Sequence, residues 1–330
     1  MIPWQSVLKN YATILEENGT AQFLNCRSIP VSFDSSTSAS DLWRIHDTSI
    51  EQWDIQNTLP SQSLLDLKIE IAQRLYHECC FCEHRCKVDR EKTTGRCGVQ
   101  EPRIASEFLH FGEEPPLIPS YTIFFSGCTF QCAFCQNYDI SQHRCGTTFS
   151  PQETANKITQ RKHQGARNVN WVGGDPTSNL LFILKVLKEL DVNIAQVWNS
   201  NMYCSVETMK LLRGVMDVYL TDFKYGNDAC GYRLSRIERY TSVVKRNHIL
   251  ADHQGEVIVR HLVMPNHRVC CSEPVLQWIT QNIPDVLVNV MGQYRPEYHA
   301  TDYEEIAQPL SREEYHQVVE YAARLGLFLI

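Results

Sequence analysis

Three cysteines crowd one short stretch, FSGCTFQCAFCQNYDIS: Cys128, Cys132 and Cys135, separated by three and then two residues. Thiolates this close in sequence ligate one metal centre when a loop wraps them around it. A structural zinc site takes four protein ligands, and a cubane iron–sulfur cluster commonly takes four as well. Here the local group supplies three. A cubane held by three thiolates leaves one iron open, able to bind a small molecule and pass it an electron while the protein supplies position and electrostatics. Two other readings use the same residues: zinc with a distant fourth ligand, Cys145 or His143 being nearest, and an iron–sulfur electron carrier with no small-molecule chemistry.

A second group precedes it. Cys79, Cys82, Cys86 and Cys97 are spaced by two, three and ten residues, with Cys80 duplicating the first position. Four thiols at these gaps suffice for a tetrahedral zinc, and equally for an auxiliary [4Fe-4S] cluster. His84 and Arg96 lie close enough in sequence to donate hydrogen bonds to the sulfurs. The remaining cysteines, among them Cys26, Cys204, Cys230 and the adjacent Cys270 and Cys271, read as background, since neighbouring cysteines make poor disulfides.

The chain must hold these groups on a soluble scaffold. Of its 330 residues 43 % are hydrophobic and 21 % charged, with a net charge of −7, so no basic nucleic-acid footprint is visible. No apolar run is long enough for a membrane span. The expectation is a cytoplasmic protein, where 14 cysteines imply metal or catalytic use rather than disulfides. Residues 1–60 are left unassigned as an N-terminal extension; residues 61–117 are a helix from Leu64 to Leu75 followed by the cysteine-rich segment. Over 118–330 short apolar strands alternate six times with helices of ten to fifteen residues. Such βαβ repetition gives an α/β fold, either an open doubly wound sheet or a barrel. A curved parallel sheet, an incomplete or full barrel, is favoured because the polar residues gather at the strands' carboxyl ends, where parallel α/β folds bind ligands.

Those strand ends supply the remaining candidates. Gly173 and Gly174 permit a tight turn and close approach of a ligand to the backbone. Asn199, Ser200 and Asn201 offer neutral donors and acceptors. Asp222 and Lys224, two apart on one strand, face the same side; a mutual salt bridge without a ligand is the plainer alternative. Arg260 and His261 face opposite ways, so one of them faces the mouth. Asn289 and Gln293 are within reach of a substrate, Tyr294 and Arg295 form a rim, and Tyr138 either shields the centre or packs in the core.

The C-x3-C-x2-C stretch resembles that of the radical S-adenosylmethionine (radical SAM) superfamily. The resemblance implies a partial (β/α)6 TIM-like barrel with an N-terminal helical, cysteine-rich extension. It implies a [4Fe-4S] cluster on Cys128, Cys132 and Cys135, S-adenosylmethionine chelated to the open iron, and Phe134 near the adenine. Gly173-Gly174-Asp175-Pro176 resembles the superfamily's Gly-Gly-Glu-Pro segment, with Asp175 where glutamate is usual. VWNSNMYCS, YLTDFKYG, VRHLVMPNH and VNVMGQYRP resemble the PflX-like branch related to glycyl-radical-enzyme activases, over about residues 75 to 325. Cofactor contacts are thereby implied for Asn199, Asn201, Asp222, Lys224 and His261, with Lys224 pairing the methionine carboxylate. The resemblance further implies reductive cleavage of S-adenosylmethionine to methionine and a 5′-deoxyadenosyl radical. A flavodoxin or ferredoxin would donate the electron, and a protein, peptide or small molecule would give up hydrogen.

Overall fold

Short segments rich in Val, Ile, Trp and Tyr, fenced by glycine or polar turns, pair into one eight-stranded sheet. In the computed structural model, which describes residues 3–56 and 58–330, the strands are β1 (Ile104–His110), β2 (Ser120–Phe125), β3 (Asn168–Gly173), β4 (Ala195–Ser200), β5 (Val218–Asp222), β6 (Glu256–Leu262), β7 (Leu287–Met291) and β8 (Phe328–Leu329). They lie side by side in sequence order. β1 runs antiparallel to β2, and every later pair is parallel. Consecutive parallel neighbours joined by crossovers of one hand put all the helices on one face, which excludes the doubly wound alternative. β8 does not pair with β1, so the barrel is open, as expected.

The helices are α1 (Lys9–Leu15), α2 (Gln22–Arg27), α3 (Ala39–Gln52), α4 (Leu64–His77), α5 (Tyr138–Ser141), α6 (Pro151–His163), α7 (Leu180–Glu189), α8 (Val206–Leu212), α9 (Asp228–Ser235), α10 (Tyr240–Gln254), α11 (Glu273–Asn282) and α12 (Arg312–Arg324). Several begin where the sequence places a cap. Ser63 with Asp66 and Ser150 with Glu153 form reciprocal capping boxes on α4 and α6, and Ser205 caps α8. Each such cap contributes about 1 kcal/mol. No helix among the described residues is long and apolar enough to cross a membrane.

The structure corrects the sequence reading at two places. β1 precedes the expected barrel boundary at residue 118 and adds an antiparallel edge; its residues alternate between packed and exposed, the period of a half-buried strand. Residues before 60 are mostly helical and close the amino-terminal end of the barrel. Glu256, at the start of β6, accepts the backbone N–H groups of Asn10 (2.6 Å) and Tyr11 (2.9 Å). Asp217, just before β5, accepts those of Gln22 (2.9 Å) and Gln196 (2.7 Å). Asn193 binds both Ala21 N–H and the Gly19 carbonyl, each at 2.8 Å. With one end sealed this way, the carboxyl end is left to bind ligands.

Candidate active site at the carboxyl ends of the strands

A cavity of about 480 Å³ opens at that end, within the size range of small-molecule sites. The loop after β2 delivers Cys128, Cys132 and Cys135 to it. Each sulfur meets a donor. The Phe130 N–H points at Cys128 Sγ (3.3 Å) and Asn201 Nδ2 lies 3.8 Å from it. Ser235 Oγ donates to Cys132 Sγ (3.0 Å), and the Ser141 hydroxyl lies 3.2 Å from Cys135 Sγ. Burial, with Asp175 and the other two thiols adding to it, pushes Cys128 well above the ordinary thiol range; burial chiefly pushes Cys132 to about 12. Bare, these thiols keep their protons; a cationic centre displaces them, and the surrounding donors suit the resulting anionic sulfurs. The three sulfurs are not within 4.8 Å of one another, so they are not gathered on a single ion, and neither Cys145 nor His143 lines the cavity. The residues fit a multi-iron cluster better than a mononuclear zinc.

Opposite the cysteines stands a braced set of charges. The register aligns Asp222 with Arg260 and Arg260 with Asn289 across β5, β6 and β7. Lys224 Nζ lies 2.5 Å from Asp222 Oδ2, Arg260 Nε donates to Asp222 Oδ1 (2.9 Å), and Arg260 also donates to Asn199 Oδ1. Burial works to raise the Asp222 carboxyl, but Arg260 and Lys224 override it and hold the group below the usual carboxylate range. Lys224, Asp222, Asn199, Ser200 and Asn201 all line the cavity, as do Phe134, Asn289 and Gln293. Phe134 packs against Tyr294 at 5.9 Å and Tyr225 at 6.4 Å between ring centres.

Several expectations are overturned. His261 is fully buried on the far side of β6, held by the Phe223 carbonyl (2.7 Å) and Ser272 Oγ (2.8 Å); Arg260 takes the inward place instead. Asp175 does not line the cavity. Its carboxylate accepts the N–H groups of Thr177 (2.9 Å) and Asn201 (3.1 Å) and the Ser200 hydroxyl (3.0 Å), tying the end of β3 to the end of β4. Gly173 and Gly174 do line it, yet their lack of a side chain answers to packing as well as to any ligand. A Cβ on Gly174 would lie 2.0 Å from the Gly127 carbonyl oxygen, and one on Gly173 2.2 Å from Phe125 backbone atoms. Tyr294 is no rim residue but is buried, its hydroxyl donating to the Ile306 carbonyl. Tyr138 does not pack in the core: it is exposed and stacked on Tyr298 at 5.0 Å.

Sequence reasoning missed two groups. Glu113 and Glu114, on the loop after β1, enter the cavity from the side. Glu114 is buried, with Oε1 accepting from Asn289 Nδ2 (2.9 Å) and Oε2 without a partner. Burial pushes its carboxyl up, opposed by Arg260 and reinforced by Glu113. Cys230, Cys270 and Cys271, read as background, bring three sulfurs within 4.8 Å of one another where α9 meets the π-helical turn Arg268–Ser272, an arrangement able to hold a metal. This trio lies outside the cavity.

Residues 122–279 match the family model described as the radical SAM superfamily. The chain is 47 % identical to uncharacterized protein MJ0674 of Methanocaldococcus jannaschii, covering 98 % of this chain and 99 % of that one. Among solved structures it is similar to methylornithine synthase (TM-score 0.45, 16 % identity, 97 % of this chain and 77 % of the other). It is also similar to Streptococcus suis SuiB bound to precursor peptide SuiA (TM-score 0.44, 15 % identity, 61 % of this chain), of which it spans 46 %.

Proposed function

We propose, from the premise that this chain belongs to the radical SAM superfamily, that Cys128, Cys132 and Cys135 hold the catalytic [4Fe-4S] cluster of this iron–sulfur enzyme, with S-adenosylmethionine in the adjoining cavity. When bound, the reduced cluster supplies the electron that cleaves the sulfonium to methionine and a 5′-deoxyadenosyl radical, which takes a hydrogen atom from substrate. The chain's own residues do the positioning. Lys224, braced by Asp222, presents its ammonium to the methionine carboxylate. Asp175 holds Asn201, whose amide faces Cys128. Phe134 supplies an apolar wall for the adenine. The observation that carries this reading is that three donor-supported thiols and the Asp222–Lys224–Arg260 group share one cavity.

The substrate in this reading is a peptide segment of a partner protein, in keeping with the PflX-like, activase-related stretches. The exposed aromatics Phe111, Tyr138 and Tyr298, near or next to cavity-lining residues, support a docking rim of that kind. A low-potential carrier, flavodoxin or ferredoxin, supplies the electron. The test is anaerobic: dithionite-reduced protein with S-adenosylmethionine is expected to yield 5′-deoxyadenosine. With fractionated deuterated cell extract, deuterium is expected in that product from the protein fraction. Label arriving from the small-molecule fraction alone overturns the peptide reading, and no 5′-deoxyadenosine at all overturns the whole.

A further inference from the structure

The first cysteine group is not absorbed by this reading, and its surroundings are unusual. α4 runs into Cys79, and the loop that follows is strapped to the chain beyond β4. The Ser205 N–H donates to the Phe81 carbonyl (3.0 Å) and the Glu83 N–H to the Tyr203 carbonyl (3.2 Å), so the backbones at Cys82 and Cys204 pair as a short antiparallel β-bridge, both thiols remaining free. Arg85 and Lys87, at φ 42° and 54°, bend the backbone on either side of Cys86. The segment folds back on itself: the Cys79 N–H donates to the Val88 carbonyl and the Lys87 N–H to the Cys79 carbonyl, each at 2.9 Å, and a Cβ on Gly95, two residues before Cys97, would lie 3.2 Å from Cys86 Sγ. Cys80 is half-buried beside the buried Cys79 and Cys82.

Arg90 marks what belongs among them. The residue is 1 % exposed; its guanidinium lies over the Tyr76 ring at 5.1 Å, forms no carboxylate salt bridge among the described residues, and leaves Nε without a partner. Its NH1 donates to the Ser178 carbonyl (3.0 Å) and points at Cys79 Sγ (4.0 Å). A buried cation without a counter-charge is strongly unfavourable. A metal centre carrying four thiolates is an anion and supplies that charge. The Arg96 backbone N–H, 3.4 Å from Cys86 Sγ, adds a second donor of the kind such sulfurs take; the Arg96 side chain turns away to the Arg236 carbonyl.

Spacing decides the metal. Zinc at about 2.3 Å from each thiolate brings tetrahedral sulfurs to about 3.8 Å of one another. No three sulfurs of this group come within 4.8 Å, although Cys230, Cys270 and Cys271 do. We infer that Cys79, Cys82, Cys86 and Cys97 hold a second iron–sulfur cluster, fully ligated by protein, against the outside of the radical-generating loop. Contact between the two is direct. A Cβ on Gly127 would lie 2.8 Å from the Cys97 carbonyl oxygen, and the His84 ring bonds the Thr129 carbonyl at 2.8 Å.

The experiment removes the other cluster first. The full chain carrying Cys128→Ala, Cys132→Ala and Cys135→Ala, purified without oxygen, is expected to retain about four iron and four sulfide. Adding Cys86→Ala removes them, whereas adding Cys80→Ala does not. In otherwise unaltered protein, Arg90→Met is expected to shift one of two reduction potentials to a more negative value. A triple variant without iron, or with zinc that leaves on adding Cys86→Ala, overturns the inference. Should the variants fold poorly, unaltered protein decides: about eight iron supports it and about four overturns it. The count in the triple variant does not depend on whether S-adenosylmethionine is cleaved, so the two readings fail separately.

Discussion

β5 carries a carboxylate at each end, and the two are opposites. Asp222, at the carboxyl end, is held ionised by Arg260 and Lys224. Asp217, at the other end, meets only backbone N–H groups and is pushed by burial to about 7. The first is braced by side chains that also face a cavity, so its charge is available to a ligand. The second is spent on backbone donors that need an acceptor, the Gln196 N–H near the start of β4 and the Gln22 N–H at the start of α2. One barrel thus separates work from closure along a single strand.

The sharpest way to break this contrast is at the working end. Cys132→Ala is expected to abolish 5′-deoxyadenosine formation; retained cleavage would sink the assignment. Next comes Lys224→Met, expected to lower cleavage on the order of 100-fold, the scale for losing one placed charge, with little change in unfolding midpoint. A large stability loss with unchanged turnover would assign Lys224 to closure instead.

At the sealed end the effect is on stability. The folded Asp217 carboxyl titrates above its unfolded value of 3.8, so its contribution is complete below that pH and lost as pH rises to about 7. Asp217→Asn is expected to remove that slope from denaturation curves taken between pH 4 and 8, a difference of no more than about 4 kcal/mol. Parallel curves for the two proteins would show that Asp217 titrates normally. Smallest is Cys230→Ser, which lies outside both ends: cleavage is expected to be unchanged within error, while any metal on Cys230, Cys270 and Cys271 is lost. A fall in cleavage would show that this trio feeds the cavity.

What was legible in the sequence was what is local. Cys128, Cys132 and Cys135 sit within eight positions, and the helix caps are set by residues three apart. Alternation told that Arg260 and His261 face opposite ways but not which faces in; that depends on the register with β5 and β7, a long-range pairing. Glu113 and Glu114 were invisible for a similar reason, since their loop has meaning only once β1 is seen to join the sheet. Cys230 lies forty residues from Cys270, and nothing between them announces that α9 and the π-helical turn meet. Asp175 stands where the resembling motif has glutamate, and its shorter side chain ends in hydrogen bonds between two strand ends, which no local pattern announces.

The carbonyl of Gly127 seated against Gly174 leaves no room for even a methyl group between the cysteine loop and the loop after β3. These two loops therefore behave as one mechanical part. Lengthening either one displaces the other, so the thiols and the Gly173–Gly174 turn keep a fixed spacing on the cavity wall.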